Sequence, residues 1–393
     1  MAEYRTLQVQ LIHRHGDRTP ITPLKDEAFW ASKLVPQEML EQVSKGTRII
    51  HHDSTPGSGK DDAVKTERHV AHGRGPFGKL TRMGLLQMVE VGTRLKEELE
   101  TKSVWASDKL ISSPDHPDQF QLSPTDIKIY STDFDRTIQS VQGVLVGFFP
   151  DGPSETIEID WRHTTSWMIP DPQPRRTHEQ EELELELARR PHMLEREADM
   201  RPLAIRCTQQ LLPLLGDDAF KVSYGVAEEK SEDALNVQRT LSWPQLSEIT
   251  NCLKVYDLLP DGITSDDQEA TGSYCAWKWF ESLRNPRLAF ISMNHFSHTI
   301  MHAMRQHTDE PPVIIFSCHD SSLIGLLCAF HLEQPSVWPE YGSVLKIELL
   351  QKIDGSSTEG EEVVRFYLNG EQLRSMWHGH LRQEISLKKL AHY

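Results

Sequence analysis

Residues 6–20 read TLQVQLIHRHGDRTP and join an alternating segment to a dense group of charges. The first part, TLQVQLI (6–12), alternates apolar and polar residues and ends in an apolar pair, which is typical of a strand entering a sheet. The next part places four charged or titratable side chains around one glycine: Arg14, His15, Asp17 and Arg18. Positive groups this close repel one another unless an anion lies between them. The stretch therefore predicts a strand with an anion site at its carboxyl end.

Further strands and helices follow along the chain. IKIYST (127–132) and PPVIIFSC (311–318) predict two more strands, and GSVLKIELLQK with EEVVRFYLNG predicts a hairpin near the C-terminus. Apolar spacing predicts helices over 80–100 (with Thr81 as its cap), 136–149, 179–190, 289–307 and 321–330. Residues 21–75 are polar and irregular, which predicts loops, including a mobile one at 54–62.

The order of these elements indicates the fold class. Strands that alternate with helices favour an α/β fold with a mostly parallel sheet sandwiched by helices. At 393 residues the chain is long enough for two domains. After residue 150 its sequence pattern changes to proline-rich turns and charged helical segments. We therefore predict a discontinuous α/β catalytic core from residues 1–150 and 290–393, with an inserted, mainly helical cap over 151–289.

Composition narrows the class of partner. Lys and Arg number 42 against 58 Asp and Glu, a formal net charge of −16, which disfavours nucleic acid and anionic membranes as main partners. There is no run of 18 apolar residues, so we predict no transmembrane segment, and the N-terminus lacks the pattern of a secretory leader. Five cysteines without a Cys-x-x-Cys pair predict reduced thiols and a cytoplasmic protein. The oligomeric state is left open.

Each of the three predicted core strands is followed by a polar cluster: HRHGDR, STDFDRT and CHDSS. Ligands of open parallel sheets bind outside the carboxyl ends of the strands, so these distant segments should converge on one pocket. The side chains expected there are Arg14, His15, Arg18, Arg136, His319 and Asp320. Guanidinium groups match phosphate oxygens, and Gly16 would let the backbone approach the anion.

This set of side chains fits phosphoryl transfer. The arginines and His319 would neutralise the phosphoryl oxygens. A neutral imidazole such as His15 can accept the phosphoryl group covalently. Asp320, the carboxylic acid beside the exit of the third strand, would protonate the leaving oxygen. The chemistry requires no metal and no cofactor.

RHGDRTP, with a later His-Asp pair behind an apolar strand, resembles the histidine acid phosphatase family, branch 2 of the histidine phosphatase superfamily. The resemblance spans most of the chain, because STDFDRT, KLTRMGLLQM and WPEYGSVLKIEL are similar to the family's middle arginine motif, the helix after its first insertion and its closing hairpin. It implies a phosphoglycerate-mutase-like core and an acid phosphatase acting on a small phosphomonoester. The implied roles are phosphate acceptor for His15, phosphate binding for Arg14, Arg18, Arg136 and His319, and acid for Asp320.

The resemblance also bears on the substrate. The Leu-Thr-x-x-Gly-x-x-Gln-Met helix and the lack of a disulfide pattern are closer to the lysophosphatidic acid phosphatase subgroup than to secreted phytases. This implies lysophosphatidic acid or another small organic phosphate as the substrate.

Alternative functions remain open at this point. DFDRT (133–137) fits the Asp-x-Asp-x-Thr motif of magnesium-dependent haloacid-dehalogenase-type phosphatases, with Asp133 as the nucleophile. A phosphate-binding regulator without catalysis is a second possibility. The histidines at 51, 52, 69 and 72 form the best candidate metal cluster, but their spacing favours a solvated surface, and we predict no metal site.

Overall fold

The computed structural model describes residues 3–51, 73–102, 105, 120–162, 167–172, 177–221, 240–353, 360–377 and 379–390. Within these ranges the strands are β1 (Glu3–Arg14), β2 (Thr47–His51), β3 (Ile127–Thr132), β4 (Ile157–Arg162), β5 (Val313–Cys318), β6 (Val344–Ile353), β7 (Glu362–Leu368), β8 (Glu371–Leu373), β9 (Ser375–Trp377), β10 (His380–Arg382) and β11 (Ile385–Ser386). The helices are α1 (Glu27–Ala31), α2 (Gln37–Ser44), α3 (Arg82–Glu97), α4 (Asp135–Phe148), α5 (His178–Ala188), α6 (Pro191–Leu211), α7 (Trp243–Val255), α8 (Ser265–Leu283), α9 (Pro286–Arg305), α10 (Asp320–Ala329) and α11 (Leu387–Leu390).

β1 lies near the middle of a nine-stranded sheet whose order is β11-β7-β6-β1-β5-β3-β4-β2, with β8 paired to β7. The pairs β1–β5, β5–β3, β3–β4 and β4–β2 are parallel, whereas β6, β7, β8 and β11 add antiparallel strands on the other side. This confirms the predicted α/β fold with a mostly parallel sheet.

Helices cover both faces of the sheet. Val9 and Leu11 of β1 belong to an apolar cluster that includes residues of α3 and α4 on one face. Ile12 belongs to a second cluster, formed with α9 and α10 on the opposite face. Because both faces are buried, apolar residues occur on both sides of the central strands, as expected for a parallel sheet.

The alternating pattern of β1 predicts that its polar positions face water, but two glutamines at these positions are buried. Gln8 and Gln10 are at most 1% exposed although they are polar. The Gln10 amide donates to the backbone carbonyl of Ile300 in α9 at 2.9 Å, and the Gln8 amide donates to that of Ala303 at 3.4 Å. The polar positions of this strand therefore pair with a helix instead of facing water.

The structure matches most of the predicted elements and corrects others. β3 spans the predicted residues 127–132, and α3 is capped by the predicted Thr81, whose hydroxyl accepts from the Gly84 N–H. The interpretation of 21–75 as loops is wrong in part, because α1, α2 and β2 lie there. The predicted mobile loop at 54–62 lies outside the described residues, as do residues 354–359 of IDGSSTEG (353–360), the segment predicted to join the hairpin strands.

The segment predicted as a cap, residues 151–289, contains one strand of the main sheet. β4 pairs with β3 and β2, which the sequence pattern did not indicate. Beyond it, α6, α7 and α8 contribute to a third apolar cluster separate from the two on the sheet. The division into a core and a cap domain stays a prediction.

All five cysteines fall within the described ranges, and all are buried and free. In those ranges no helix has both the length and the apolar character needed to cross a bilayer. Of the predicted histidine cluster, the positions 52, 69 and 72 lie outside the described residues.

Candidate active site

The carboxyl ends of β1, β5 and β3 meet at one edge of the sheet. The register pairs Arg14 with Cys318, and Ser131 with Ser317, so the polar segments that follow the three strands start side by side. This arrangement brings the loop after β1, the start of α4 and the start of α10 together.

The structure brings all six predicted site residues together. The rings of His15 and His319 lie 5.5 Å apart between centroids. The Arg136 guanidinium lies 4.2 Å above the ring of Phe134, which itself contacts the His319 ring at 4.6 Å. The six residues are Arg14, His15, Arg18, Arg136, His319 and Asp320.

His15 is 2% exposed, and its Nδ1 lies 2.8 Å from the carbonyl oxygen of Gly16. Because a carbonyl accepts only, this contact places the ring proton on Nδ1 and leaves a lone pair on Nε2. Burial, together with the positive charges of Arg136, Arg14, His319 and Arg18, lowers the pKa of His15 well below its ordinary value. The imidazole is therefore neutral.

Asp320 begins α10 and forms a partly buried ion pair with Arg14, with Nη2 to Oδ2 at 2.7 Å. Burial alone would raise the pKa of Asp320. The positive charges of Arg14, Arg18 and His319, with a hydrogen bond from Trp338, instead hold that pKa below its ordinary value. Without a bound anion, Asp320 is thus the negative partner of Arg14.

Arg18 is held by a residue of α7 that the sequence did not indicate. Its Nη1 lies 2.8 Å from Oε2 of Glu248, and both side chains are about 6% exposed. The same carboxylate accepts the backbone N–H groups of Ile21 and Thr22 at 2.8 Å each. Glu248 therefore fixes both the guanidinium and the turn that follows it.

Replacing Glu248 with alanine should lower the free energy of unfolding by about 3 kcal/mol or more, because it removes the carboxylate partner of a buried guanidinium and the acceptor of two backbone N–H groups. Chemical denaturation measures this loss. The exposed pair of Arg374 and Glu333 offers the control, since Glu333→Ala removes a pair that is about half exposed and should cost at most about 1 kcal/mol. Equal losses in the two variants would contradict the role given to Glu248.

The N-terminus of α3 supports the loop after β1 through its Leu-Thr-x-x-Gly-x-x-Gln sequence. The Thr81 hydroxyl donates to Oδ2 of Asp17 at 2.6 Å, and the Asp17 N–H donates to the Gln87 side-chain oxygen at 3.0 Å. A Cβ on Gly16 would collide with the carbonyl oxygen of Gly84, and a Cβ on Gly84 with that of Asp17. Both glycines therefore let the loop and the helix cross closely, a reason for Gly16 different from the predicted approach to an anion.

The Ser-Thr-Asp-Phe-Asp-Arg-Thr segment (131–137), which runs from the end of β3 into α4, orients both α4 and His319. The Thr137 hydroxyl lies 2.8 Å from the carbonyl oxygen of Phe134, within the first turn of α4. The Thr132 hydroxyl lies 2.9 Å from Nε2 of His319. Asp133, the nucleophile of the alternative magnesium-dependent mechanism, is half-buried in the bend before this helix. No group of three or more His, Cys, Asp or Glu suited to a metal ion occurs among the residues described.

His13 lies in β1 next to Arg14 and is 1% exposed. Its Nδ1 is 3.1 Å from the Arg14 carbonyl oxygen, while its Nε2 has no hydrogen-bond partner among the described residues. Burial lowers the pKa of His13 to about 4.

This buried histidine should make the protein less stable in acid. Between pH 6.5, the ordinary value, and about pH 4, the unfolded chain binds a proton at this ring and the folded chain does not. Stability is therefore lost as the pH falls through this window, by about 3 kcal/mol for His13 alone. In His13→Leu, measured by urea denaturation across this range, the slope of stability against pH should be smaller. It should not vanish, since His15 acts in the same direction. An unchanged slope would contradict the assignment.

Sequence reasoning missed three residues that contact the predicted site. Glu248 forms an ion pair with Arg18, and the Trp338 indole donates a hydrogen bond to Asp320. The Tyr341 ring lies 4.0 Å from the Arg14 guanidinium. Trp338 and Tyr341 fall in WPEYGSVLKIEL, the segment similar to the closing hairpin of the family, and this was the one available signal. Glu248 lies in the predicted cap, which carries no motif.

Comparisons with known proteins find a matching family model and several similar relatives. Residues 7–184 match the family model "Histidine phosphatase superfamily (branch 2)". Counting factor 60 of Dictyostelium discoideum is 23% identical over 389 residues, covering 92% of this chain and 79% of that protein. Lysophosphatidic acid phosphatase type 6 of Bos taurus is 23% identical over 381 residues, covering 93% and 77%. Testicular acid phosphatase of Mus musculus is 31% identical over 121 residues, covering 30% and 25%.

Solved structures share the fold. The apo form of the Hafnia alvei phytase superposes with a TM-score of 0.59 at 13% identity, covering 99% of this chain and 96% of that one. The Citrobacter braakii phytase gives a TM-score of 0.57 at 14% identity, with 99% and 96% coverage. Fold, site and relatives together define a phosphatase, a hydrolase of phosphomonoesters. The chain is similar to branch 2 of the histidine phosphatase superfamily over residues 7–184, and to acid phosphatases among its relatives.

Proposed function

We propose that the chain hydrolyses phosphomonoesters through a covalent phosphohistidine on His15, with Asp320 as the general acid. The hydrogen bond from His15 Nδ1 to the Gly16 carbonyl carries this proposal, because it leaves the Nε2 lone pair available to attack phosphorus. The lowered pKa of His15 supports it further, since the ring stays neutral in mildly acidic solution.

Positive groups surround the nucleophile and supply the phosphate site. We assign Arg14, Arg18, Arg136 and His319 to the phosphoryl oxygens, since the charges of all four act on His15. This local positive charge in a chain of net charge −16 explains how an acidic protein binds an anionic substrate.

Substrate binding would also prepare Asp320 for its role. A phosphate dianion competes for Arg14 and adds negative charge beside Asp320, and both effects raise the pKa of this carboxyl. A protonated Asp320 then gives its proton to the leaving oxygen as the P–O bond breaks and the Nε2–P bond forms. In the second half, the Asp320 carboxylate takes a proton from the water that attacks phosphorus, releasing phosphate and restoring neutral His15.

The substrate class is a small phosphomonoester, and we propose lysophosphatidic acid or another small organic phosphate. The similarity to lysophosphatidic acid phosphatase type 6 over 93% of the chain supports this choice. Trp338 and Tyr341 beside the ion pair add aromatic surface near the leaving-group side. The five free thiols fit a cytoplasmic location, which we also propose.

The proposal is tested with p-nitrophenyl phosphate and a panel of lysophospholipids, sugar phosphates and phytate, each with and without EDTA. We expect hydrolysis that survives the chelator, a rate maximum at acidic to neutral pH, and histidine-bound phosphate in acid-quenched samples. Activity that requires added Mg²⁺ would instead support Asp133 as the nucleophile. Binding of phosphate without turnover would indicate a regulator.

A further inference from the structure

Trp338, in the loop between α10 and β6, donates its indole Nε1–H to Oδ2 of Asp320 at 3.0 Å. The same oxygen pairs with Nη2 of Arg14 at 2.7 Å, whereas Oδ1 accepts the Ser321 backbone N–H at 2.8 Å. Two donors of different kinds, one charged and one neutral, therefore converge on one carboxylate oxygen.

The residues next to Trp338 hold the other member of this ion pair. The Pro339 carbonyl accepts from Arg14 Nη1 at 2.6 Å, and the Tyr341 ring lies 4.0 Å from the guanidinium. One short loop thus contacts both Asp320 and Arg14. When a substrate phosphate draws Arg14 away, the indole N–H stays on Oδ2 of Asp320, while the Ser321 N–H stays on Oδ1.

We propose that Trp338 is a positioning residue, whose indole N–H keeps the Asp320 carboxyl directed at the leaving oxygen while Arg14 binds phosphate. The proposal rests on the proposed role of Asp320 as the general acid. Without this hydrogen bond, the carboxyl would rotate more freely and transfer its proton less often.

The hydrogen bond should also be visible in the pH dependence. A donor to the ionised form favours that form, so its loss raises the pKa of Asp320. The other groups that act on the pKa of Asp320 are the charges of Arg14, Arg18 and His319. The Ser321 N–H donates to Oδ1, and from α8 the Cys275 thiol lies near enough for the Asp320 charge to raise the pKa of that thiol. None of them changes when Trp338 is replaced with phenylalanine, so a shift reports the indole N–H.

The chain supplies a matched control in Trp279 of α8. Its ring meets that of Trp338 edge to face, with centroids 5.9 Å apart, and both pack against the same two apolar clusters. The indole N–H of Trp279 has no hydrogen-bond partner among the described residues. Trp279→Phe therefore removes the same atoms as Trp338→Phe without removing a hydrogen bond to Asp320.

The experiment measures kcat against pH, which reports the groups of the substrate complex, for wild type, W338F, W279F and D320N, with p-nitrophenyl phosphate and with glycerol phosphate. We expect the alkaline limb of W338F to move up by about half a pH unit or more, while W279F follows wild type. At the optimum, W338F should lose about tenfold on the alkyl ester and less than about threefold on the aryl ester, whose leaving group needs little protonation.

An alkaline limb in W338F that coincides with wild type, or a limb in W279F that moves as far, would overturn the proposal. The D320N variant distinguishes a failure of the role proposed for Asp320 from a failure of the role proposed for Trp338. If D320N keeps the wild-type limb, Asp320 is not the acid and both assignments fail. If D320N loses the limb while W338F keeps it, only the role of Trp338 fails. Should W338F not fold, benzothienylalanine at position 338 replaces the N–H with sulfur and gives the same comparison.

Discussion

Replacing His15 with alanine is expected to lower the turnover of p-nitrophenyl phosphate by about 10⁴-fold or more. The reason is that the Nε2 lone pair, kept free by the bond from Nδ1 to the Gly16 carbonyl, is the nucleophile. The arginines alone bind the phosphoryl group but offer no atom that can accept it. Initial rates give the loss in turnover, and mass spectrometry of acid-quenched protein should detect histidine-bound phosphate in wild type and none in H15A.

The matched control is His13, a second buried histidine two positions earlier, near the end of β1. His13→Asn should keep turnover within about tenfold of wild type, because this ring has no part in the proposed chemistry. H15A should still bind inorganic phosphate, measured as a rise in its unfolding temperature, since the guanidinium groups remain. Full activity in H15A would reject the assigned nucleophile.

Asp320→Asn is expected to reduce kcat/KM for alkyl phosphates by about 10³-fold and for p-nitrophenyl phosphate by about tenfold. An alkoxide leaves only when it receives a proton, whereas p-nitrophenolate leaves unprotonated. The amide cannot supply that proton, although it keeps the size of the carboxyl group. Steady-state kinetics across a series of leaving groups measures the difference as a steeper dependence on leaving-group pKa.

The same variant should bind inorganic phosphate more tightly. Arg14 loses the anionic partner at 2.7 Å, so the ligand no longer competes with a carboxylate for this guanidinium. Product inhibition by phosphate measures this change and also shows that the site is intact. Equal losses on alkyl and aryl esters, with unchanged phosphate affinity, would reject Asp320 as the acid.

The strands whose carboxyl ends carry the site residues could be predicted from local sequence patterns. IKIYST is rich in β-branched and aromatic residues and VIIFSC is a short apolar run, and they form β3 and β5 with nearly the predicted bounds. Thr81 was predicted as a helix cap because capping depends on the residue itself and its near neighbours. β4 was missed, since IEIDWR lies between polar segments and its place in the sheet depends on β2 and β3.

The residues that contact the predicted site could not be found in the same way. In the sequence, Glu248 is an acidic residue in a segment without a motif. In the structure its carboxylate accepts a hydrogen bond from Arg18, which lies 230 positions earlier in the chain. Nothing in the sequence distinguishes Trp338 from other aromatic residues, yet its indole N–H donates to the Asp320 carboxylate. Hydrogen bonds of this kind depend on how the helices of residues 243–283 and the α10–β6 loop pack against the sheet, which no periodicity encodes.

The amino-acid sequence by itself determined the α/β fold, the three polar clusters at strand ends and the residue types suited to a phosphate. These follow from local patterns, because strand alternation, helix capping and charge repulsion act over a few residues. Only the tertiary structure decided that Arg14 pairs with Asp320, that Arg18 pairs with Glu248 and that the ring proton of His15 lies on Nδ1. Each depends on the distance and direction between atoms that chain folding alone brings together.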